Sequence, residues 1–338
     1  MRLFLLAFLF GVTLLSFIVL VLLEHWSGQP GQQTTEQSFT VVRGENAWKV
    51  ATRLEEARIV EHRFGFLYAL AYLKKMSGLV AGEYRFSGAL SPCEIAVRLS
   101  SGQTVSTDVR ITFPEGFTAA QMADRLTENG LPGEEFLALV LSPRDSWRME
   151  FRSLSVLPAR ASLEGFLFPD TYRFDRKADA ETIIKLMLAT FDRKVWPMIT
   201  ETKTMDVSMD PYRVLILASI VEMEVRSDAD RRLVADLFLR RLSVNHPLES
   251  DATVQYILGL NKIQHSYEET RTESPYNTYI HKGLPPGPIA NPGLSALQAT
   301  LQPTSSAYFF FLSNPKTGET AFAKTYEEHL RNKSQHGL

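Results

Sequence analysis

Cysteine is all but absent from this chain of 338 residues: Cys93 stands alone, which rules out an intramolecular disulfide and a thiolate metal site. The seven histidines include no HExxH motif and no i, i+4 pair, so the pattern lends nothing to a zinc hydrolase and names no metal ligand. A GxSxG elbow and a phosphate-binding glycine-rich loop are both missing, which removes serine-hydrolase and nucleotide signatures and leaves no cofactor to expect. Charge of one sign is missing as well. With 36 basic and 38 acidic residues the net charge is -2, which supplies no field suited to nucleic acid.

What is present is an ordinary globular mixture, 45% hydrophobic and 22% charged, long enough for two or three domains. The hydrophobic share is uneven. Residues 3–23 contain no charge, and at 1.5 Å per residue they span roughly 30 Å, the thickness of a bilayer core. A cleaved signal peptide would have a shorter apolar core and a small-x-small site, whereas Glu24, His25 and Trp26 follow here, so the expectation is a retained single-pass anchor. Arg2 precedes the span, and no Lys or Arg occurs between Leu23 and Arg43. The positive-inside rule therefore puts the bulk of the chain outside, facing the periplasm or cell exterior. Cys93 reads as an inert helical residue behind a capping box formed by Ser91 and Glu94.

Residues 24–38 are rich in Gln, Gly, Thr and Ser and read as a linker. A repeat with an offset of 72 then appears. FTVVRG at 39–44 leads into a helix with Val50, Ala51 and Leu54 on one face, and ITFPEG at 111–116 leads into one with Met122, Ala123 and Leu126. Ile95, Ala96 and Leu99 take the same positions in a third helix. Three amphipathic helices that use Ala for close packing on a sheet explain the pattern. Residues 163–174, LEGFLFPDTYRF, predict two strands or one strand and an ordered loop. Asp210 and Pro211 open a helix, Ser227 or Asp228 opens another, and a further helix is expected over 251–259. The Pro/Gly segment 283–293, GLPPGPIANPG, is too restricted to be a floppy linker. A hairpin is expected over 308–324, and a frayed polar tail from Asn332.

The most informative side chain is Glu222. The preceding run, 214–221, is apolar on every face, which marks a buried helix, and a carboxylate at its end must be paired, hydrogen-bonded or neutralised. Desolvation would raise its pKa, as a general acid requires; the bland alternative is an ion pair with Arg226 one turn later. Glu224 lies about 200 degrees around the helix from Glu222, so it reads as a solvated or salt-bridged neighbour. Glu164, Asp170 and Asp251 are further carboxylates in ordered context. Glu164 is a candidate for the wall of a sugar groove, and Asp251 for a helix cap. Thr253, Gln255, Tyr256, Tyr276, Asn277 and Tyr279 add neutral hydrogen-bonding groups and rings of the kind that bind polymeric carbohydrate, although each alone also suits a structural role.

Taken together, LEGFLFPDTYRF, ILASIVEME, SDATVQYILG, SPYNTY, GLPPGPIANPG and FAKTYEEH, in this order, resemble the YceG-like endolytic murein transglycosylases. The resemblance covers essentially the whole chain. It implies an α+β protein with an N-terminal transmembrane helix (1–23), a linker (24–38), a LysM-like α/β module (39–105), a second strand-helix connector (106–160), a catalytic domain (161–332) and a tail (333–338). It further implies a bacterial inner-membrane location, peptidoglycan glycan strands as substrate, peptidoglycan synthases as partners, and cleavage of MurNAc-GlcNAc bonds to leave 1,6-anhydro-MurNAc ends. By the same resemblance Glu222 is the acid/base; Glu164, Thr253, Gln255, Tyr256, Asn277 and Tyr279, from their residue types and context, are expected at the substrate. A lone Glu then makes sense, because the C6 hydroxyl of the sugar is the nucleophile and no second carboxylate need activate water. Two positions depart from the family pattern: Thr320 where a His is common, and Met223 where a Lys is frequent. Two alternatives stay open, a non-catalytic wall-binding scaffold and a hydrolase pairing Glu222 with Glu164 or Asp251.

Overall fold

Helix starts in this chain are set by side chains that take up the first free backbone amides. Asn46 accepts from Lys49 N, Asp210 from Arg213 N and Ser227 from Asp230 N; Ser91 with Glu94, and Thr118 with Gln121, form reciprocal capping boxes. The computed structural model describes residues 2–28, 36–103, 108–202, 209–259, 266–314 and 317–336. It is a mixed α+β chain of two compact units, Met1–Thr107 and Asp108–Leu338.

The first unit runs α1 (Arg2–Gly28), β1 (Gln37–Val41), α2 (Ala47–Glu56), α3 (Arg63–Tyr72), β2 (Gly82–Phe86) and α4 (Pro92–Ser101). β1 and β2 pair antiparallel, with Phe39 opposite Tyr84. The core gathers Phe39, Val50, Ala51, Leu54, Phe66, Leu70, Tyr84, Ile95, Ala96 and Leu99, so the repeated Ala-x-x-Leu faces meet on one sheet. α1 continues to Gly28. The expected linker therefore starts inside a helix, and the rest of it up to residue 35 lies outside the described residues. The segment Phe10–Gly28 is long and apolar enough to cross a membrane.

The second unit runs β3 (Asp108–Thr112), α5 (Ala119–Glu128), α6 (Gly133–Leu141), α7 (Trp147–Glu150), β4 (Thr171–Asp175), α8 (Ala180–Lys194), α9 (Trp196–Glu201), α10 (Pro211–Glu224), α11 (Asp228–Ser243), α12 (Asp251–Leu258), α13 (Leu294–Leu301), β5 (Phe310–Ser313), β6 (Thr320–Ala323) and α14 (Tyr326–His336). β3 pairs antiparallel with β4, and β5 with β6. Because its strand is completed by β4, the segment expected as a separate connector has no core of its own. Ile111, Met122, Leu126, Phe136 and Trp147 are buried with Leu163, Ile184, Leu217, Leu237 and Leu297 in one cluster. The 72-residue repeat is structural in both units: Arg53 donates to the Thr40 carbonyl at 3.0 Å, and Arg125 to that of Thr112 at 2.9 Å, tying each helix to the strand before it.

Of the two readings of 163–174, the strand with an ordered loop is realised, since only 171–175 is extended in a sheet. The polar tail expected from Asn332 is helical through His336, as the last turns of α14.

Two adjustments position the site. α10, buried from Val214 to Val221, stops at Glu224 because Val225 turns extended (φ -143, ψ 152). The Pro/Gly segment is held from within. Ser219 Oγ accepts from Ile289 N at 3.0 Å, and Asn291 bridges Glu164 Oε1, the Phe117 carbonyl and the amides of Gly165 and Leu167. Gly165 is required twice over: its φ of +88 is left-handed, and a Cβ there would fall 2.6 Å from Pro288.

Candidate active site

Because α10 ends where it does, Glu222 and Glu224 project from its last turn into one cavity of about 920 Å³ within the second unit. Glu115, Asp251, Gln255, Tyr279, Arg241 and Glu249 line it on other sides. β5 and α14 close it with Phe310, Tyr326 and His329. The 200-degree separation is real, but it sends the two carboxylates to different walls of the same cavity.

Glu222 points to the start of α13 and to α11. Its Oε2 accepts from Gly293 N at 3.0 Å, and its Oε1 lies 2.6 Å from Arg231 Nη2, with the two side chains only 4% and 10% exposed. Both oxygens are thus taken. The ion pair foreseen with Arg226 does not form, because the helix ends before that position and Arg231 on the next helix supplies the charge instead. Burial raises the Glu222 pKa, opposed by Arg231 and the Gly293 amide and reinforced by Glu115 and Asp228. Gly293 has no side chain to spare here: a Cβ would collide with the carboxylate of Glu115.

Glu224, expected as a solvated or salt-bridged neighbour, is neither among the described residues. It is partly buried against the start of α12, where Ser250 Oγ donates to its Oε1, and its backbone carbonyl accepts from Ser313 Oγ at 3.1 Å. Among the described residues no cation forms an ion pair with it; Arg241 is engaged by Glu249 at 3.1 Å and by the carbonyls of Leu248 and Phe309. Burial pushes the Glu224 carboxyl up to about 7; the Ser250 hydroxyl, the Ala252 amide and the Arg241 charge oppose this and the Asp251 charge adds to it. Asp251 is itself held by Tyr279, whose hydroxyl donates at 2.6 Å.

Among the other residues expected at the substrate, Gln255 and Tyr279 reach the cavity and four do not. Glu164 is buried beneath the start of α5, where its carboxylate takes the Ala119 amide at 3.0 Å and the Asn291 amide at 2.7 Å. Thr253 is fully buried and bonds Thr278 and the Ser250 carbonyl. Asn277, also fully buried, clamps its own loop by donating to the carbonyls of Thr270 and Thr272. Tyr256 packs on Tyr276 at 5.2 Å against the hydrophobic core. These side chains hold the walls and do not line the cavity. Asp170 is likewise elsewhere, paired with Lys194 at 2.6 Å.

The cavity residues that sequence reasoning passed over are Glu115, Arg241, Glu249 and the ring wall of Phe310, Tyr326 and His329. Glu115 stands in the PEG turn of the repeat, the one signal that singles it out. Nothing local marks the others, because β5 and α14 are brought to α10 by tertiary packing. Of the two departures, Met223 lies against Gly116 at the cavity edge, and Thr320 has a buried hydroxyl without a hydrogen-bond partner among the described residues.

A carboxyl raised toward neutrality on the wall of a ring-lined cavity, in a mixed α+β unit, is the equipment of an acid/base site. Comparison with known proteins is specific. Residues 39–335 match the YceG-like family, and the chain belongs to it. A Bacillus subtilis (strain 168) protein named endolytic murein transglycosylase is 32% identical over 311 residues, covering 89% of this chain and 85% of that one. A Streptococcus pneumoniae serotype 2 (strain D39) protein of the same name is 30% identical over 319 residues, 88% of this chain but 57% of the pneumococcal one. A crystal structure of a yceG-like protein from Listeria monocytogenes superposes with a TM-score of 0.60 at 32% identity, covering 89% of this chain and all of that one.

Proposed function

We propose that this protein is an endolytic murein transglycosylase that cuts MurNAc-GlcNAc bonds inside nascent peptidoglycan strands and leaves 1,6-anhydro-MurNAc ends. In this reading α1 is a single-pass anchor in the bacterial inner membrane, and the two units lie on its outer side. The first unit is a LysM-like module that holds glycan, and peptidoglycan synthases supply the strands. The observation that carries the reaction is the place of the Glu224 carboxyl on the cavity wall, hydrogen-bonded by Ser250 Oγ and with no ion pair among the described residues, where burial raises it to about 7 against the Arg241 charge.

Proton transfer is therefore placed on Glu224, and Glu222, the residue the sequence pointed to, becomes its buttress. A carboxyl that titrates near pH 7 is protonated often enough to give its proton to the leaving O4 of GlcNAc as the C1–O bond breaks. The resulting carboxylate then takes the proton of the C6 hydroxyl as that oxygen bonds C1. No water is consumed, and the carboxyl is restored. Glu222, with both oxygens committed to Arg231 and Gly293, fixes the end of α10 against α13 and α11.

A hydrolase remains as the second reading, favoured by Asp251 beside Glu224. Pairing with Glu164 loses its support because that carboxylate is buried under α5. Mass spectrometry of products from membrane-associated peptidoglycan separates the two, since a hydrolase releases reducing ends. Glu224→Gln is expected to abolish anhydro ends with the fold retained, whereas Glu222→Gln, which keeps an acceptor for Gly293 N, is expected to retain measurable turnover at lower stability. Turnover in Glu224→Gln together with none in a folded Glu222→Gln would return the role to Glu222. Unchanged strand lengths on overexpression of the wild type would favour a scaffold.

A further inference from the structure

Two large rings of the first unit, Trp48 and Phe64, are 55% and 48% exposed, and they meet edge to face with centroids 6.0 Å apart. Their height relative to α1 gives this exposure a meaning. The charge-free run of α1 ends at Leu23, so Trp26 stands about 4.5 Å further along the axis, within a headgroup layer of roughly 5–7 Å. At that level α1 is not a free stalk. The Trp26 carbonyl abuts Gly65, where a Cβ would fall 2.8 Å from it, and the Trp26 and His62 rings lie 4.7 Å apart. α1 packs along both α3 and α4. Phe64, the neighbour of Gly65, is thereby carried close to the Trp26 level of α1, with Trp48 beside it.

We propose that Trp48 and Phe64 are inserted into the headgroup layer of the membrane that α1 spans, so that the first unit is seated on the lipid surface and does not swing from a tether. The inference rests on the anchor reading of α1. Amphipathic rings favour that layer, where an apolar face meets lipid while the indole N–H finds water or a headgroup. Residues 24–107 hold nine basic and eight acidic side chains, too even a balance for attraction to anionic lipid to hold the unit there, so the holding falls to ring insertion.

The test uses the full chain in phosphatidylcholine nanodiscs, on a Cys93→Ser background, with one spin label each from Leu15→Cys, Trp48→Cys and Phe64→Cys. Depth is read from the ratio of oxygen to nickel-chelate accessibility. A label at Leu15 deep in the bilayer, with those at 48 and 64 at least twofold above the ratio of free label in buffer, is the expected result. Aqueous ratios at 48 and 64 with Leu15 still deep would overturn the seating and leave the anchor standing. An aqueous ratio at Leu15 would overturn both. A label from Lys49→Cys checks that the rings do the holding: its ratio is expected to fall to the aqueous value when Trp48→Ser and Phe64→Ser are combined, and a ratio unmoved by their loss would overturn the role of the rings.

Discussion

Glu164 offers the most exacting check on the physical reasoning, because sequence context suggested a substrate contact and the structure gives it a buried structural place. Its carboxyl is pushed up to about 7 from 4.5, mainly by burial, against the pull of the Ala119, Asn291 and Gly165 donors. The folded protein thus keeps this proton at pH values where the unfolded chain has released it, and stability must fall as pH rises from about 4.5 to about 7, then level off. A rise of roughly 2.5 units at 1.36 kcal/mol each amounts to about 3 kcal/mol. In a unit of this size that is roughly 6–12 °C in melting temperature. Glu164→Gln cannot ionise, and its side-chain carbonyl still accepts from Ala119 and Asn291. Thermal melts of the full chain in detergent from pH 5 to pH 8 should show the variant losing less stability than the wild type by about that amount. A residual slope should remain, because Glu224 shifts in the same direction. Turnover at pH 6 should be close to wild type. Parallel melting curves would refute the burial argument, and a stable variant without turnover would restore Glu164 to the substrate.

Other expectations follow from the same geometry. If protonated Glu224 is the acid, the rate falls as pH rises through about 7, and replacement of Glu224 by Gln costs on the order of 100- to 10,000-fold, read as anhydro ends per unit time. A rate flat from pH 6 to pH 8 would argue against it. Arg231→Met leaves Glu222 buried without its cation and should cost about 3–5 kcal/mol, much of it recovered in the double variant with Glu222→Met; equal losses in the two would contradict a buried ion pair. Gly165→Ala meets both a left-handed φ of +88 and the Pro288 ring, and is expected to lower stability by about 2 kcal/mol or more in denaturant unfolding, whereas a neutral result would deny the close approach.

Features with a local cause were legible in advance. Asp210, Ser227 and the Ser91-Glu94 box act within three residues of themselves, so the helix starts they set could be read from single positions. The repeat was legible for the same reason: its Ala-x-x-Leu faces record a packing requirement made three times. The site was not local in this sense. Asn291 joins Glu164 across 127 positions, and that bond removes Glu164 from any groove. Thr253, Tyr256 and Asn277 sit in the right stretches of chain, but the stretch around a site contains wall-builders as well as wall surface. Composition distinguishes the two poorly because both are polar and aromatic.

The two glutamates of α10 carry the sharpest lesson. Counting residues around a continuing helix assigns Arg226 to Glu222 and sends Glu224 to solvent, and each step is correct for an interior turn. At a terminus the premise fails: Val225 turns extended, Arg226 leaves the cylinder, and both carboxylates face whatever packs against the helix end. What packs there is the start of another helix in each case, α13 for Glu222 and α12 for Glu224. Helix starts favour the anion, so the difference between the two must come from what else is present. Arg231 opposes the rise that burial gives Glu222, while burial and the adjacent Asp251 charge raise Glu224 to about 7 against the Ser250 hydroxyl, the Ala252 amide and the Arg241 charge. Two like side chains in one cavity thereby receive different partners, a guanidinium for Glu222 and a hydroxyl for Glu224, and the proposed acid/base role of Glu224 rests on that asymmetry.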